Sequence, residues 1–174
     1  IFVPSQEEVI RIMAPSEYEN LLSASGNGDF IDLAPKNLIR ETGRAIIDNG
    51  VKILLVKAAH RGLYLMTGDV TSMSGTTGIK LPGEQWNFRT LRCEAYRADP
   101  SRIVNASGAG DTAAAAFLCS ILDGLSPEVS MKYAAAAGRD KLYCHDIYKE
   151  HGGWDVITRE IQTEPHKVID PGAI

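Results

Sequence analysis

Residues 102–122 read RIVNASGAGDTAAAAFLCSIL, and no other stretch limits the fold as strongly. A β-type run, residues 102–106, enters a turn of small residues. The turn leads directly into an alanine-rich helix, expected over residues 112–122. Strand, glycine turn and helix in that order form a corner of a layered α/β protein.

The flanking sequence agrees. VKILLV, residues 51–56, is a near-continuous apolar run, as expected of a strand buried on both faces. LYLMT, residues 63–67, follows closely enough to pair with it, and LRCEAYRA is a further strand candidate. Residues 1–3 read as the end of a strand. Ser5 and Glu8 have the spacing of a capping box, with Val9, Ile10 and Met13 then on one helical face. Ser16 and Glu19 repeat that spacing. KNLIRETGRAIIDNG carries Leu38, Ile39, Thr42, Ala45 and Ile46 at helical spacing, with Asn49 and Gly50 as the stop. Another helix is expected from Pro127 to about Leu142, with Ser126 as N-cap, and a last short one over residues 153–161. Residues 67–86 read mostly as loop. The expected architecture is one α/β domain with a largely parallel sheet.

In such folds ligands lie outside the carboxyl ends of strands. Gly108 and Gly110 let the backbone turn tightly and approach a ligand, while the free N–H groups of the first helical turn favour an anion. Asp111 is the informative residue, because a site built only to hold phosphate gains nothing from a carboxylate beside it. The pairing makes sense where a hydroxyl loses its proton as a phosphoryl group moves onto it. The plainer reading, Asp111 as a helix N-cap, accounts for the aspartate but not for the whole SGAGDT context.

Gly108, Gly110 and Ala113 also fit a loose dinucleotide fingerprint, the basis for a Rossmann-type NAD-dependent dehydrogenase. That motif requires a second strand ending in an acid about twenty residues on. SPEVSMKYAAAAG, which reads as helix, stands there instead. SGTTGIK, residues 74–80, lacks P-loop spacing and reads as loop. Cys144, His145 and Asp146 are consecutive, unlike catalytic groups that converge in space. His60, His145, His151 and His166 show no metal-ligand spacing, and Trp86 and Trp154 read as packing anchors.

A net charge of −4 without a basic stripe argues against a nucleic-acid partner. No apolar run reaches membrane-spanning length. Three scattered cysteines without a CxxC pair read as reduced thiols, which points to the cytoplasm. The chain opens on IFVPS without an initiator Met and reads as a piece of a longer one.

NASGAGDTAAAAF resembles the second signature of the PfkB-type, ribokinase-like carbohydrate kinases, whose core is GAGD. VPSQEEV is similar to that family's N-x-x-E segment, and LLVKAAHRGLYL to its T-x-G-x-x-G nucleotide segment. AAAAG, residues 134–138, lies where the family has the helix flanking the adenine pocket. The matches keep family order over nearly the whole chain, and the GAGD match is the specific one. The resemblance implies the C-terminal, nucleotide-binding portion of a three-layer α/β fold, without the N-terminal half that carries most sugar contacts and the lid.

It also implies an ATP-dependent kinase acting on a sugar or sugar-acid hydroxyl. Asp111 would be the base, and the N–H groups of Gly108, Ala109, Gly110 and Asp111 the anion hole. Lys57, Ala59, His60 and Gly62 would border the nucleotide, and Glu8 would position Mg²⁺ through water. The carbonyls of Asn105 and Ser107 would be candidates for holding K⁺, and a homodimer would fit the family. Three departures stand out. Ser5 replaces the family's Asn, so capping and metal positioning are both open for Glu8. Ala59 replaces a glycine often seen in the nucleotide turn, where a positive φ would penalise its Cβ. Asn105 replaces the Asp linked to monovalent-cation binding. A nucleotide-binding piece without activity of its own is the alternative function.

Overall fold

The computed structural model describes residues 1–26, 30–73, 79, 81–164, 166 and 168–170. The stretch SGTTGIK, Ile79 apart, therefore lies outside the described residues.

Four helices come first: α1 (Gln6–Met13), α2 (Pro15–Ser25), α3 (Phe30–Leu33) and α4 (Lys36–Asp48). The hairpin of β1 (Ile53–Lys57) and β2 (Leu63–Thr67) follows, then α5 (Gly83–Trp86) and β3 (Thr90–Cys93). The chain continues through α6 (Ala109–Leu122), α7 (Pro127–Lys141), α8 (Ile147–Glu150), α9 (Gly153–Thr163) and β4 (Val168–Ile169). Local chemistry accounts for several boundaries. The Ser5 hydroxyl accepts the Glu8 N–H at 3.1 Å while the Glu8 carboxylate accepts the Ser5 N–H at 2.6 Å, completing the capping box of α1. Ser126 caps α7 with Pro127 at its first position. The second capping box does not form. Pro15, pre-set for helical φ, starts α2 a residue early and takes Ser16 inside the first turn.

β1 and β2 are buried on both faces, and their period of two sorts the side chains. Ile53, Leu55, Leu63 and Leu65 join Phe117, Ile121, Met131 and Ala134 of α6 and α7 on one side. Leu54, Val56 and Tyr64 join Val9, Ile39 and Ile46 of α1 and α4 on the other. Helices thus cover both faces of the sheet, giving three layers. Each large apolar side chain removed from water in these layers contributes about 1.5–3 kcal/mol. Trp86, fully buried, packs edge-on against Phe117. Trp154 stacks on Tyr133 at 4.2 Å, so both tryptophans serve packing.

The sheet is not largely parallel. Its order is β1-β2-β3-β4, and every pairing between these strands is antiparallel. Only five residues separate Lys57 from Leu63, whereas a parallel neighbour needs a crossover of a dozen or more. Among the described residues, parallel pairing is confined to two bridges, Phe2 with Leu54 and Ser5 with Lys57. The Phe2 N–H donates to Ile53 O at 2.8 Å and the Lys57 N–H to Pro4 O at 2.9 Å, with α1–α4 as the crossover.

Residues 102–106 are not a strand either. Arg102 ends a short turn, Pro100–Arg102, and the Val104 N–H donates to Leu142 O at the end of α7 rather than to a sheet neighbour. The cysteines are free thiols, as read from their spacing. Burial pushes the Cys93 thiol up to about 12, so it stays neutral in the core. Among the described residues no helix is long and apolar enough to cross a membrane.

Candidate functional site

Four stretches of the chain meet at one corner. The Pro4 carbonyl pairs with Lys57 at the end of β1, and Ser5 then caps α1. The Lys57 Nζ lies 3.6 Å from where a Cβ on Gly110 would sit, at the start of α6. A Cβ on Gly108 would lie 3.6 Å from the Cε of Lys141, from the last turn of α7. The start of α1, the end of β1, the start of α6 and the end of α7 thus surround the SGAGD turn.

Gly108 caps α6 with a left-handed backbone, φ +78°, which only glycine adopts without penalty. The Thr112 N–H and hydroxyl both donate to its carbonyl at 2.9 Å, fixing the first turn. The Ala109 N–H donates to Ala106 O at 3.2 Å and so is not open to a ligand, a correction to the four-amide cradle implied by the resemblance. The N–H groups of Gly108, Gly110 and Asp111 have no acceptor among the described residues. Asp111 is the third helical residue, not the cap. Its exposed carboxylate makes no hydrogen bond or ion pair among the described residues.

Two ammonium groups strengthen the positive end of α6. Lys57 is half-buried. Lys141 is only 7 % exposed, donates to Cys144 O at 3.4 Å, and makes no ion pair among the described residues. A charge so buried beside a helix N-terminus leaves the corner rich in positive potential. Sequence reasoning missed Lys141, since a lysine in the last turn of a helix is ordinary dipole matching.

The other predicted residues fall in three places. Glu8 is exposed beside Lys57. The Ser5 backbone N–H, then the Ser5 side chain, hold its carboxyl below the ordinary range, with Lys57 adding to the effect. Asn105 spends its side-chain oxygen on the Ser107 N–H at 3.0 Å, an exposed turn of its own. The turn of residues 57–62 is tied to α3 instead of lying open. His60 Nε2 is 2.7 Å from Asp32 Oδ1, and the Arg61 guanidinium donates to Ala34 O and Asp32 O. Ala59 does have positive φ, +44°, so its Cβ is strained there. Gly62 is buried under the end of β3 and serves the fold. AAAAG packs Ala134, Ala136 and Ala137 into the core. Its Gly138 sits so close to α6 that a Cβ would come within 3.2 Å of Ala109 O. Residues 144–146 serve structure, with Asp146 capping α8. Residues 127–141 are helical, so the strand a dinucleotide fold needs is not there.

No described group of three or more His, Cys, Asp and Glu side chains is placed to hold a metal. Glu8 alone, with one oxygen engaged by Ser5, suits a Mg²⁺ that arrives on phosphates and keeps its waters.

No family model and no curated protein sequence matches the chain. Solved structures do. An Arabidopsis thaliana ribokinase with ribose and ATP is 20 % identical over 91 % of the chain, with a TM-score of 0.61. A Thermotoga maritima ribokinase is 14 % identical over 92 %, TM-score 0.57. An E. coli protein assigned as ribokinase II, bound to ATP and Mg²⁺, is 17 % identical over 91 %, TM-score 0.56. The chain spans 39 %, 42 % and 46 % of these three. It therefore resembles a portion of a ribokinase-like fold.

Proposed function

We propose that the chain is the nucleotide-binding and catalytic portion of an ATP-dependent carbohydrate kinase. One observation carries this reading: an exposed, unpaired Asp111 carboxylate stands at a glycine turn whose Gly110 and Asp111 amides are open and whose flanks hold Lys57 and Lys141. Donors facing an anion and an acceptor for one proton, at one corner, suit phosphoryl transfer to a hydroxyl. Asp111 takes the proton of the sugar hydroxyl, whose oxygen bonds to the γ-phosphorus as the bond to the ADP oxygen breaks. The amides and the two ammonium groups hold the negative charge of the moving phosphoryl group.

Mg²⁺ bound on the phosphates would neutralise part of that charge, with Glu8 holding its water shell. Glu8→Gln separates the two roles of Glu8, because glutamine also completes a capping box. The expected result is a small fall in melting temperature, from loss of the charge alone, with a weaker apparent Mg²⁺ affinity in turnover. Equal Mg²⁺ dependence leaves Glu8 a cap only. The cap's electrostatic share follows a lowered pKa: it is complete above the ordinary carboxylate value of about 4.3 and lost as pH falls through the folded value. Asn105 is neutral and its side-chain oxygen accepts the Ser107 N–H, which leaves the carbonyls of Asn105 and Ser107 as the groups that would hold a monovalent cation.

Calorimetry with Mg·ADP, paired with a phosphorylation assay over a sugar panel, tests the reading. Binding with turnover supports the kinase, and no binding contradicts it. Binding without turnover favours the second reading, a nucleotide-binding piece, which rests on the chain spanning about two-fifths of its structural matches.

A further inference from the structure

A second feature lies on the side of the sheet facing away from α6. A cavity of about 300 Å³ opens between the first half of α4 and the strands β2 and β3. Its walls include Lys36 and Arg40 from α4, Tyr64 and Met66 from β2, and Thr90 and Arg92 from β3. The strand register explains the grouping: Tyr64 pairs with Arg92 and Met66 with Thr90, so all four share one sheet face. Tyr64 belongs to the cluster under α1 and α4, which puts this face opposite the one covered by α6 and α7.

The chemistry of the walls is one-sided. Lys36 and Arg40 stand one turn apart on the same helix face, an unfavourable pairing of like charges, and neither makes an ion pair among the described residues. Arg92 adds a third cation, its guanidinium lying 5.9 Å over the Tyr64 ring and paired among the described residues only with Glu94, at 3.9 Å. Three cations around one cavity suit an anion, and Met66 gives it an apolar wall.

We propose that this cavity binds a small organic anion bearing a phosphate or carboxylate group, of about monosaccharide size, independently of the nucleotide corner. The volume lies at the lower end of small-molecule sites, too small for a nucleotide triphosphate and larger than a bare oxyanion needs. Specificity for the anionic group comes from Lys36, Arg40 and Arg92.

Calorimetry on the whole chain with inorganic phosphate, glucose 6-phosphate and citrate, each with and without saturating Mg·ADP, tests this. Saturable binding of one or both organic anions is expected, tighter than that of inorganic phosphate and unaffected by Mg·ADP. Which anion binds better identifies the phosphate or the carboxylate as the recognised group. The exposed pair Lys36→Gln and Arg40→Gln weakens it by about tenfold or more. Displacement by Mg·ADP, equal affinity in the Lys36→Gln/Arg40→Gln variant, or no saturable binding of either organic anion overturns the proposal.

Discussion

Replacing Gly62 with alanine is expected to lower the melting temperature by about 10 °C or more, from a loss of roughly 3–5 kcal/mol. Two penalties act at one atom. Gly62 has φ +88°, a left-handed conformation that costs a side-chain-bearing residue about 1–2 kcal/mol. The added Cβ would overlap the Cys93 carbonyl oxygen and lie 2.7 Å from the Ala95 nitrogen, all of it backbone. Backbone cannot swing aside as a lysine tip can, so the end of β3 has to move and the β2–β3 pairing with it. The loss is a large part of the roughly 5–15 kcal/mol that holds a domain of this kind together.

Ala59→Gly, three residues earlier in the same turn, supplies the internal control with opposite sign. It relieves a positive φ at an exposed site and is expected to stabilise by about 0.5–1 kcal/mol after the entropy cost of glycine. Thermal unfolding of the two variants beside the parent chain reads both. A Gly62→Ala melting temperature within about 2 °C of the parent would show that the turn relaxes freely.

Asp111→Asn carries the largest expected effect on chemistry. The amide keeps the size and exposure of the side chain but cannot accept the hydroxyl proton, so phosphoryl transfer should fall by about 10²–10⁴-fold. Nucleotide affinity should move the other way. The parent carboxylate sits at the same helical turn as the proposed phosphate and repels it, so neutralising it tightens Mg·ADP binding by a few-fold. This split distinguishes a base from a residue that merely shapes the turn, which would lower affinity and turnover together. Undiminished turnover in the Asn variant contradicts the role of Asp111.

Much of this architecture is legible in local sequence because its rules are local. Ser5 with Glu8, Ser126 with Pro127, and the period of residues 36–48 each specify an element through contacts within a turn or two. The sheet direction was misread because ILLVK is as apolar as a parallel core strand. The deciding fact is the short loop after it, read as permitting pairing but not used to fix its direction. Residues 102–106 have strand composition, but the Val104 N–H bonds to Leu142 at the end of α7, a partner far along the chain that propensity does not register.

At the candidate site, Asp111, Gly108 and Gly110 were readable because glycine spacing encodes backbone shape. Lys57 was readable by its place in the turn, whereas the tethering of His60 to Asp32 was not. Lys141 and the Tyr64–Arg92 cavity depend on helix packing and cross-strand register, which exist only in three dimensions.

The central claim is that the open amides at the start of α6 receive a phosphate. The most direct measurement follows the backbone amide resonances of ¹⁵N-labelled protein through a titration with Mg·ADP and then Mg²⁺ with a non-hydrolysable ATP analogue. The account predicts that Gly110 and Asp111 shift most, with Gly108 and Lys57 beside them, and that the terminal phosphate of the analogue enlarges the shifts. Saturation that leaves the first turn of α6 unmoved, or no saturation at all, would contradict it.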